Sequence, residues 1–281
     1  MINAIEVRGL CKDYRDFQLR DVDLTLPGGS ILGLIGENGA GKSTTIKAIL
    51  GLIRRNGGSI RIFGREILGD DPSYKEDIGV VLDEVGIPAC LSAVQVGKVM
   101  ARTFTRWDKE LYAQYLKKLN LPEKRPFKEY SKGMKMKLGI AVALSHHPKL
   151  LILDEATSGL DPVVRDEVVE MFSEFTRDED HAVLISSHIV SDLEKICDYI
   201  AFLHQGKLML CEEKDRLLEE YGLIHCSREQ LSELDQAAVK GVKTSPYGVE
   251  ALVRRDGVPA GMQVSPVSIE ELFIFMVKEA A

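Results

Sequence analysis

Short apolar runs, broken by glycine and proline, divide the first part of the chain into strands. Residues 4–7 and 22–26 alternate apolar with polar positions, as half-buried strands do. Pro27-Gly28-Gly29 then turns the chain into Ile31-Leu32-Gly33-Leu34-Ile35, a run apolar enough for a central strand. Residues 43–50 read as the helix that follows, and Gly57-Gly58 breaks the chain before another short strand at 59–63. From about Leu91 to Ser145 the pattern turns helical: Leu111, Tyr115, Leu116 and Leu119 recur at helical spacing, with Pro122 and Pro126 as breaks. Strand signals return at 150–153, 182–186 and 199–203. The pattern predicts an α/β core interrupted by a helical insertion. Beyond Gly206 it predicts a helix at 214–221, strands at 249–254 and 262–264, and a closing helix at 269–277.

Composition narrows the classes. A chain of 281 residues with 45% hydrophobic content has room for one large or two modest domains with an ordinary core. A formal net charge of -7 weighs against a nucleic-acid partner, which usually requires a basic face. Lys132, Lys135 and Lys137 form a local basic patch, read equally well as a solvated helix face or as a phosphate-steering one. Cys11, Cys90, Cys197, Cys211 and Cys226 contain no C-x-x-C pair, so neither a zinc knuckle nor a disulfide framework is expected, and a reducing cytoplasm fits. Glu6, Arg8, Lys12 and Asp13 interrupt the opening residues, so no signal-peptide core is expected. Nothing later approaches the ~18–20 consecutive apolar residues of a membrane span.

The chemistry begins at Gly36-Glu37-Asn38-Gly39-Ala40-Gly41-Lys42-Ser43, followed by Thr44. It fits the phosphate-loop pattern and lies between a predicted strand and a predicted helix, the context that pattern requires. Phosphate binding needs backbone N–H groups turned toward the anion, and Gly36, Gly39 and Gly41 allow that close approach. The helix N-terminus adds its positive dipole end. Lys42 can reach the β and γ phosphates as a point charge, and the Ser43 hydroxyl can ligate Mg²⁺. Asp154 closes a buried strand, where a carboxylate needs a cation or a donor; a Mg²⁺-bound water supplies both.

A phosphate loop alone is shared by kinases, GTPases, motors and transport ATPases. Tyr130-Ser131-Lys132-Gly133-Met134 just upstream of Leu150-Leu151-Ile152-Leu153-Asp154-Glu155, then Ser158-Gly159-Leu160-Asp161 and His188, narrows the choice. In this order the motifs resemble the nucleotide-binding subunit of an ABC (ATP-binding cassette) transporter, over residues 5 to about 206. The short Ser-Lys-Gly-Met signature and the brief C-terminal region make it most similar to the ATPases of bacterial ABC-2-type exporters.

The resemblance implies an α/β fold: a P-loop NTPase (RecA-like) core with an N-terminal antiparallel β-subdomain and an inserted ABC α-helical subdomain, plus a small C-terminal α+β appendage. The ATPase domain is expected over 1–214, with the insertion at about 84–145, and the accessory region over 215–281. It implies Glu155 as the general base that polarises water, and His188 as the switch histidine at the γ phosphate. Ser131, Lys132, Gly133 and Met134 are expected to complete the site of a second chain, and Asp161 to lie on a loop crossing that interface. Tyr14 is expected to stack on adenine, with Phe17 as its rival. ATP and Mg²⁺ are the implied ligands. The partners are membrane permease subunits and a second ATPase subunit, as homodimer or heterodimer, with the chain peripheral on the cytoplasmic face of the membrane.

One departure matters: the family's glutamine at the entrance to the insertion is replaced by Asp83 or Glu84. A carboxylate there can still ligate metal or water but would repel the γ phosphate more than an amide does, and Gln95 lies too far along to substitute. A soluble ABC ATPase without a membrane partner, and a regulatory subunit that hydrolyses weakly, are the alternative readings.

Overall fold

The computed structural model describes residues 2–67, 73–157, 159–245, 248–259 and 261–280. The chain opens with β1 (Asn3–Asp13) and β2 (Gln18–Pro27), an antiparallel pair, then enters β3 (Ile31–Ile35) and α1 (Lys42–Ile49). Next, β4 (Gly57–Ile62) returns antiparallel to β1, and β5 (Arg65–Glu66) pairs with it. After β6 (Ile78–Val81), α2 (Ala93–Thr103), α3 (Lys109–Lys118) and α4 (Lys132–Leu144) form the helical insertion. The chain then alternates: β7 (Leu150–Asp154), α5 (Pro162–Phe175), β8 (Ala182–Ser187), α6 (Val190–Ile196), β9 (Tyr199–His204) and β10 (Lys207–Glu213). The C-terminal part holds α7 (Lys214–Glu220), β11 (Tyr221–Cys226), α8 (Arg228–Ser232), β12 (Val239–Ser245), β13 (Gly248–Arg254) and α9 (Ile269–Ala280).

The described residues form three sheets, in the orders β2-β1-β4-β5, β10-β9-β3-β8-β7-β6 and β11-β13-β12. Within the central sheet every neighbouring pair is parallel except β10 on β9. Strands β3, β7 and β8 are buried at every position. A strand covered on both faces is apolar along most of its length, and that is why β3 and the first four residues of β7 and of β8 are continuous apolar runs rather than alternating ones, with polar Asp154, Ser186 and Ser187 only at the carboxyl ends. The parallel register sets Ile35 beside Ser187 and Asp154 beside Ser186. The phosphate loop, Glu155 and His188 therefore emerge together at the carboxyl ends of three adjacent strands, the place where open α/β sheets bind ligands.

One face of the central sheet packs with α1 and the antiparallel β1-β2-β4 layer, through Leu24, Leu34, Ile46 and Ile60. The other face packs against the insertion and the C-terminal helices, through Ile35, Leu138, Phe172, Phe202 and Leu272. The C-terminal region thus shares the main core: the Phe273 ring lies 5.2 Å from that of Phe202, and α9 touches both β12 and α6. The strand expected at 262–264 does not form. Its only trace is a single bridge from Ser265 to Leu223, while Val264 packs on Gly222 as loop.

Candidate functional site

Lys42 opens α1, and its ammonium folds back under the loop, donating to the Gly36 carbonyl at 2.7 Å and the Glu37 carbonyl at 3.3 Å. Two glycines are required by contact. A Cβ on Gly36 would meet the Leu203 carbonyl at 2.4 Å, and Gly41, at φ 112°, would drive one into the Phe17 ring at 2.9 Å. The loop is therefore pressed onto the end of β9 on one side and the β1–β2 turn on the other. His204, buried at the end of β9, brings Nδ1 to 3.4 Å from the Glu37 carboxylate, within ion-pair range but outside hydrogen-bond geometry.

Glu155 follows β7 in the left-handed region, φ 54°, a conformation that costs a non-glycine residue of order 1 kcal/mol and needs support. Ser186 supplies it: the Glu155 N–H donates to the Ser186 carbonyl at 3.1 Å and lies 3.2 Å from its hydroxyl. The same hydroxyl donates to Asp154 Oδ1 at 2.5 Å. The turn aims the Glu155 carboxylate at two partners, Lys42 Nζ at 3.7 Å and His188 Nδ1 at 2.6 Å.

These groups wall a cavity of about 650 Å³, lined by Asp16, Phe17, Glu37, Asn38, Gly39, Gly41, Lys42, Ser43, Thr44, Asp83, Lys132, Glu155 and His188. Gly36 and Ala40 stand behind the lining, and Asp154 is buried beneath it. Tyr14 does not reach the cavity. It is half exposed with the Lys12 ammonium over its ring, whereas Phe17 lies on the wall. The two residues flank one tight turn, closed by the Tyr14 N–H to the Phe17 carbonyl at 2.8 Å, and a turn presents only one of them inward. Asp16, on the wall beside Phe17, is a lining residue that sequence reasoning missed; an isolated carboxylate in a turn carries no pattern.

Asp83 leaves β6 onto the wall, 3.6 Å from the Lys132 ammonium. Glu84 stays off the wall, and the Gln95 side chain is taken up in the capping box of α2, accepting from the Ser92 N–H at 2.9 Å. Ser131 caps α4, its hydroxyl accepting from the Met134 N–H at 3.2 Å. Ser131, Gly133 and Met134 lie outside the cavity, and only the Lys132 side chain of this stretch reaches it. Asp161 caps α5, accepting from the Val164 N–H at 3.1 Å; Ser158 of the same loop lies outside the described residues. The donors expected for the metal are oxygens: Ser43 and Asp83 are on the wall, and Asp154 is buried. Among the described residues no cluster of three or more His, Cys, Asp or Glu could hold a metal. Such a set fits Mg²⁺, which takes one or two carboxylates and shares substrate phosphates rather than sitting in an all-protein cage.

A glycine loop on a helix N-terminus, a lysine beneath it and a carboxylate held at its mouth define a nucleoside-triphosphate site of the phosphate-loop class. A family model described as "ABC transporter" matches residues 19–158. The lantibiotic transport ATP-binding protein SrtF of Streptococcus pyogenes is 39% identical over 214 residues, 75% of this chain and 91% of that protein. The ABC transporter ATP-binding protein YtrB of Bacillus subtilis is 31% identical over 96% of this chain and 97% of its own length. A solved ATP-binding subunit of an ABC transporter superposes with a TM-score of 0.70 at 28% identity, over 76% of this chain and 91% of that one. A dimeric ATP-binding cassette bound to ADP and Pi shares the fold, with a TM-score of 0.67 at 20% identity over 75% of this chain and 98% of that one. The chain belongs to the ABC transporter family, as an ATP-binding, ATP-hydrolysing subunit. No helix among the described residues is long and apolar enough to cross a membrane.

Proposed function

We propose that this chain powers an ABC-2-type exporter, closing as a dimer around two ATP molecules and passing that closure to membrane permease subunits. The observation that carries the hydrolytic part is the Glu155 carboxylate fixed at the mouth of the phosphate loop, in contact with both Lys42 and His188. Phosphates entering the loop compete with Glu155 for the Lys42 ammonium. Losing that partner leaves the carboxylate free to take a proton from water attacking the γ phosphate, while His188 holds it in place. Lys42 and the loop N–H groups neutralise the charge that develops on the phosphoryl oxygens. Ser43, and Asp154 through water, would hold Mg²⁺, which would neutralise phosphate charge. Phe17, rather than Tyr14, stacks on adenine in this reading.

Ser131 and Asp161 sit at helix N-termini outside the chain's own cavity, which leaves them available to a second chain. Asp83 pairs with Lys132 across the cavity wall, so its carboxylate is partly neutralised and repels the γ phosphate less than a bare one. The export reading draws on the relatives, among them SrtF and a bacitracin transport ATP-binding protein, BcrA, of Bacillus licheniformis, 35% identical over 74% of this chain and 69% of that protein. The grip on the permease is the loop between β6 and α2, exposed at Asp83, Glu84, Gly86 and Pro88. Co-expression with candidate permeases tests the partner: the chain is recovered with membranes and its ATPase rate responds to the permease. A chain that stays off the membrane beside every such permease, or that binds ribosomes instead, is the soluble ATPase; one that binds ATP without releasing phosphate is the regulatory subunit.

A further inference from the structure

Two charged side chains behind the site, one partly buried and one buried, have no part in the reaction described so far. Arg165 stands one turn into α5, after the loop that ends at Asp161; Asp192 stands in the first turn of α6, just after His188. The Asp192 carboxylate is 8% exposed, and Arg165 Nε approaches its Oδ2 at 3.5 Å. Neither of these two buried atoms has a hydrogen-bond partner among the described residues. The other arm of the guanidinium, Nη2, donates to the Leu160 carbonyl at 3.3 Å, the peptide immediately before Asp161. One planar cation therefore holds the Asp161 loop with one arm and the helix behind His188 with the other.

A buried ion pair with unfilled hydrogen-bond capacity adds little net stability, because desolvation of both charges offsets their attraction. Its use is geometric. Helix α6 has only seven residues and no side-chain cap from Ile189, and locally His188 is held by one short bond across it, the Ile189 N–H donating to the Ser187 hydroxyl at 3.0 Å, so the placing of the helix itself falls to its packing. Lysine would substitute only in part: the guanidinium fork reaches both partners in a fixed geometry, and an ammonium is a single flexible point charge.

We propose that Arg165 and Asp192 are positioning residues for ATP hydrolysis, a charged bracket that makes the Asp161 loop and the His188 helix move as one piece. A partner subunit pressing on the Asp161 loop then moves His188, and through its 2.6 Å contact moves Glu155. The bracket couples dimer closure to the base without touching nucleotide. This rests on the roles proposed above for Glu155, His188 and Asp161.

The test uses the full chain, assembled with its permease if the chain alone is inactive, in four variants: Arg165→Met, Arg165→Lys, Arg165→Met with Asp192→Leu, and Glu155→Gln as control. The double variant removes both charges and restores an apolar fill, so the thermal midpoint stays near wild type. Its kcat falls about tenfold to 10²-fold, the range expected when a reacting group is displaced by about an ångström, with KM for ATP unchanged. Arg165→Lys recovers part of that loss. Wild-type kcat in the double variant overturns the bracket, as does a kcat that follows thermal stability through the whole series. If the double variant does not fold, Arg165→Lys decides: reduced kcat with normal KM and thermal midpoint supports the bracket, and normal kcat overturns it. Normal turnover by Glu155→Gln would instead overturn the reading of the site on which the bracket rests.

Discussion

Replacing Glu155 with glutamine separates binding from chemistry. The amide keeps the side-chain shape and a contact to His188, and it removes both the proton acceptor and the ion pair to Lys42 at 3.7 Å. Losing a general base costs ~10² to 10⁴ in rate, about 3 to 5 kcal/mol of barrier. Binding moves the other way. The gross attraction between Lys42 and Glu155 is about 4 kcal/mol at an effective dielectric near 20, but both side chains are mostly buried and desolvation offsets most of it. A net of about 1 kcal/mol released to the phosphates tightens ATP by about fivefold. Phosphate release measured beside a nucleotide-binding titration reads both quantities. Turnover within about tenfold of wild type, a loss too small for a general base, would remove Glu155 from the role, and weakened ATP binding would refute the competition for Lys42.

Lys42→Ala should weaken ATP binding itself, whereas Ser131→Arg should abolish hydrolysis while leaving the affinity of the isolated monomer intact; a binding titration in dilute protein distinguishes them. Phe17→Ala should cost ~1–3 kcal/mol of ATP affinity, the worth of one aromatic stack, with Tyr14→Ala costing clearly less in the same titration. Leu272→Ala, at a fully buried position in α9, should destabilise the whole chain by ~2–5 kcal/mol, seen as one denaturant transition shifted rather than a separate early one. Burial of His146, stacked on Phe104 and bonded to the Ile78 carbonyl at 3.1 Å, holds its pKa below the ordinary 6.5. The unfolded chain therefore binds that proton first, so stability is full above pH 6.5 and falls as pH drops through and below it. His146→Gln should flatten that slope in pH-dependent thermal melts.

Parts of this molecule were legible because local sequence and burial agree there. The run from Ile31 to Ile35 is buried at every position, and glycines the backbone needs follow it directly, so strand, loop and helix could be placed within a residue. Legibility failed where tertiary packing decides. Strand β6 is only four residues long and exists because it pairs with β7; α6 is seven residues held by β3 and α9. The half-buried β10 and the short strands β11 and β12 carry weak patterns, while 262–264 carries a strand-like one and forms loop. At the site, the motif residues were readable but their neighbours were not. Whether Tyr14 or Phe17 faces the nucleotide depends on a turn, the meeting of Asp83 with Lys132 depends on how α4 docks against β6, and Arg165 with Asp192 is a contact between two helices.

The central claim is that the complete hydrolytic site requires two chains. Steady-state phosphate release with ATP and Mg²⁺, measured per chain across a dilution series of the purified protein, tests it most directly. The account predicts a rate per chain that climbs with protein concentration and levels off once the closed dimer dominates, while ATP binding to the dilute monomer stays constant. A rate per chain independent of concentration, down to dilutions where sedimentation shows only monomer, would contradict it.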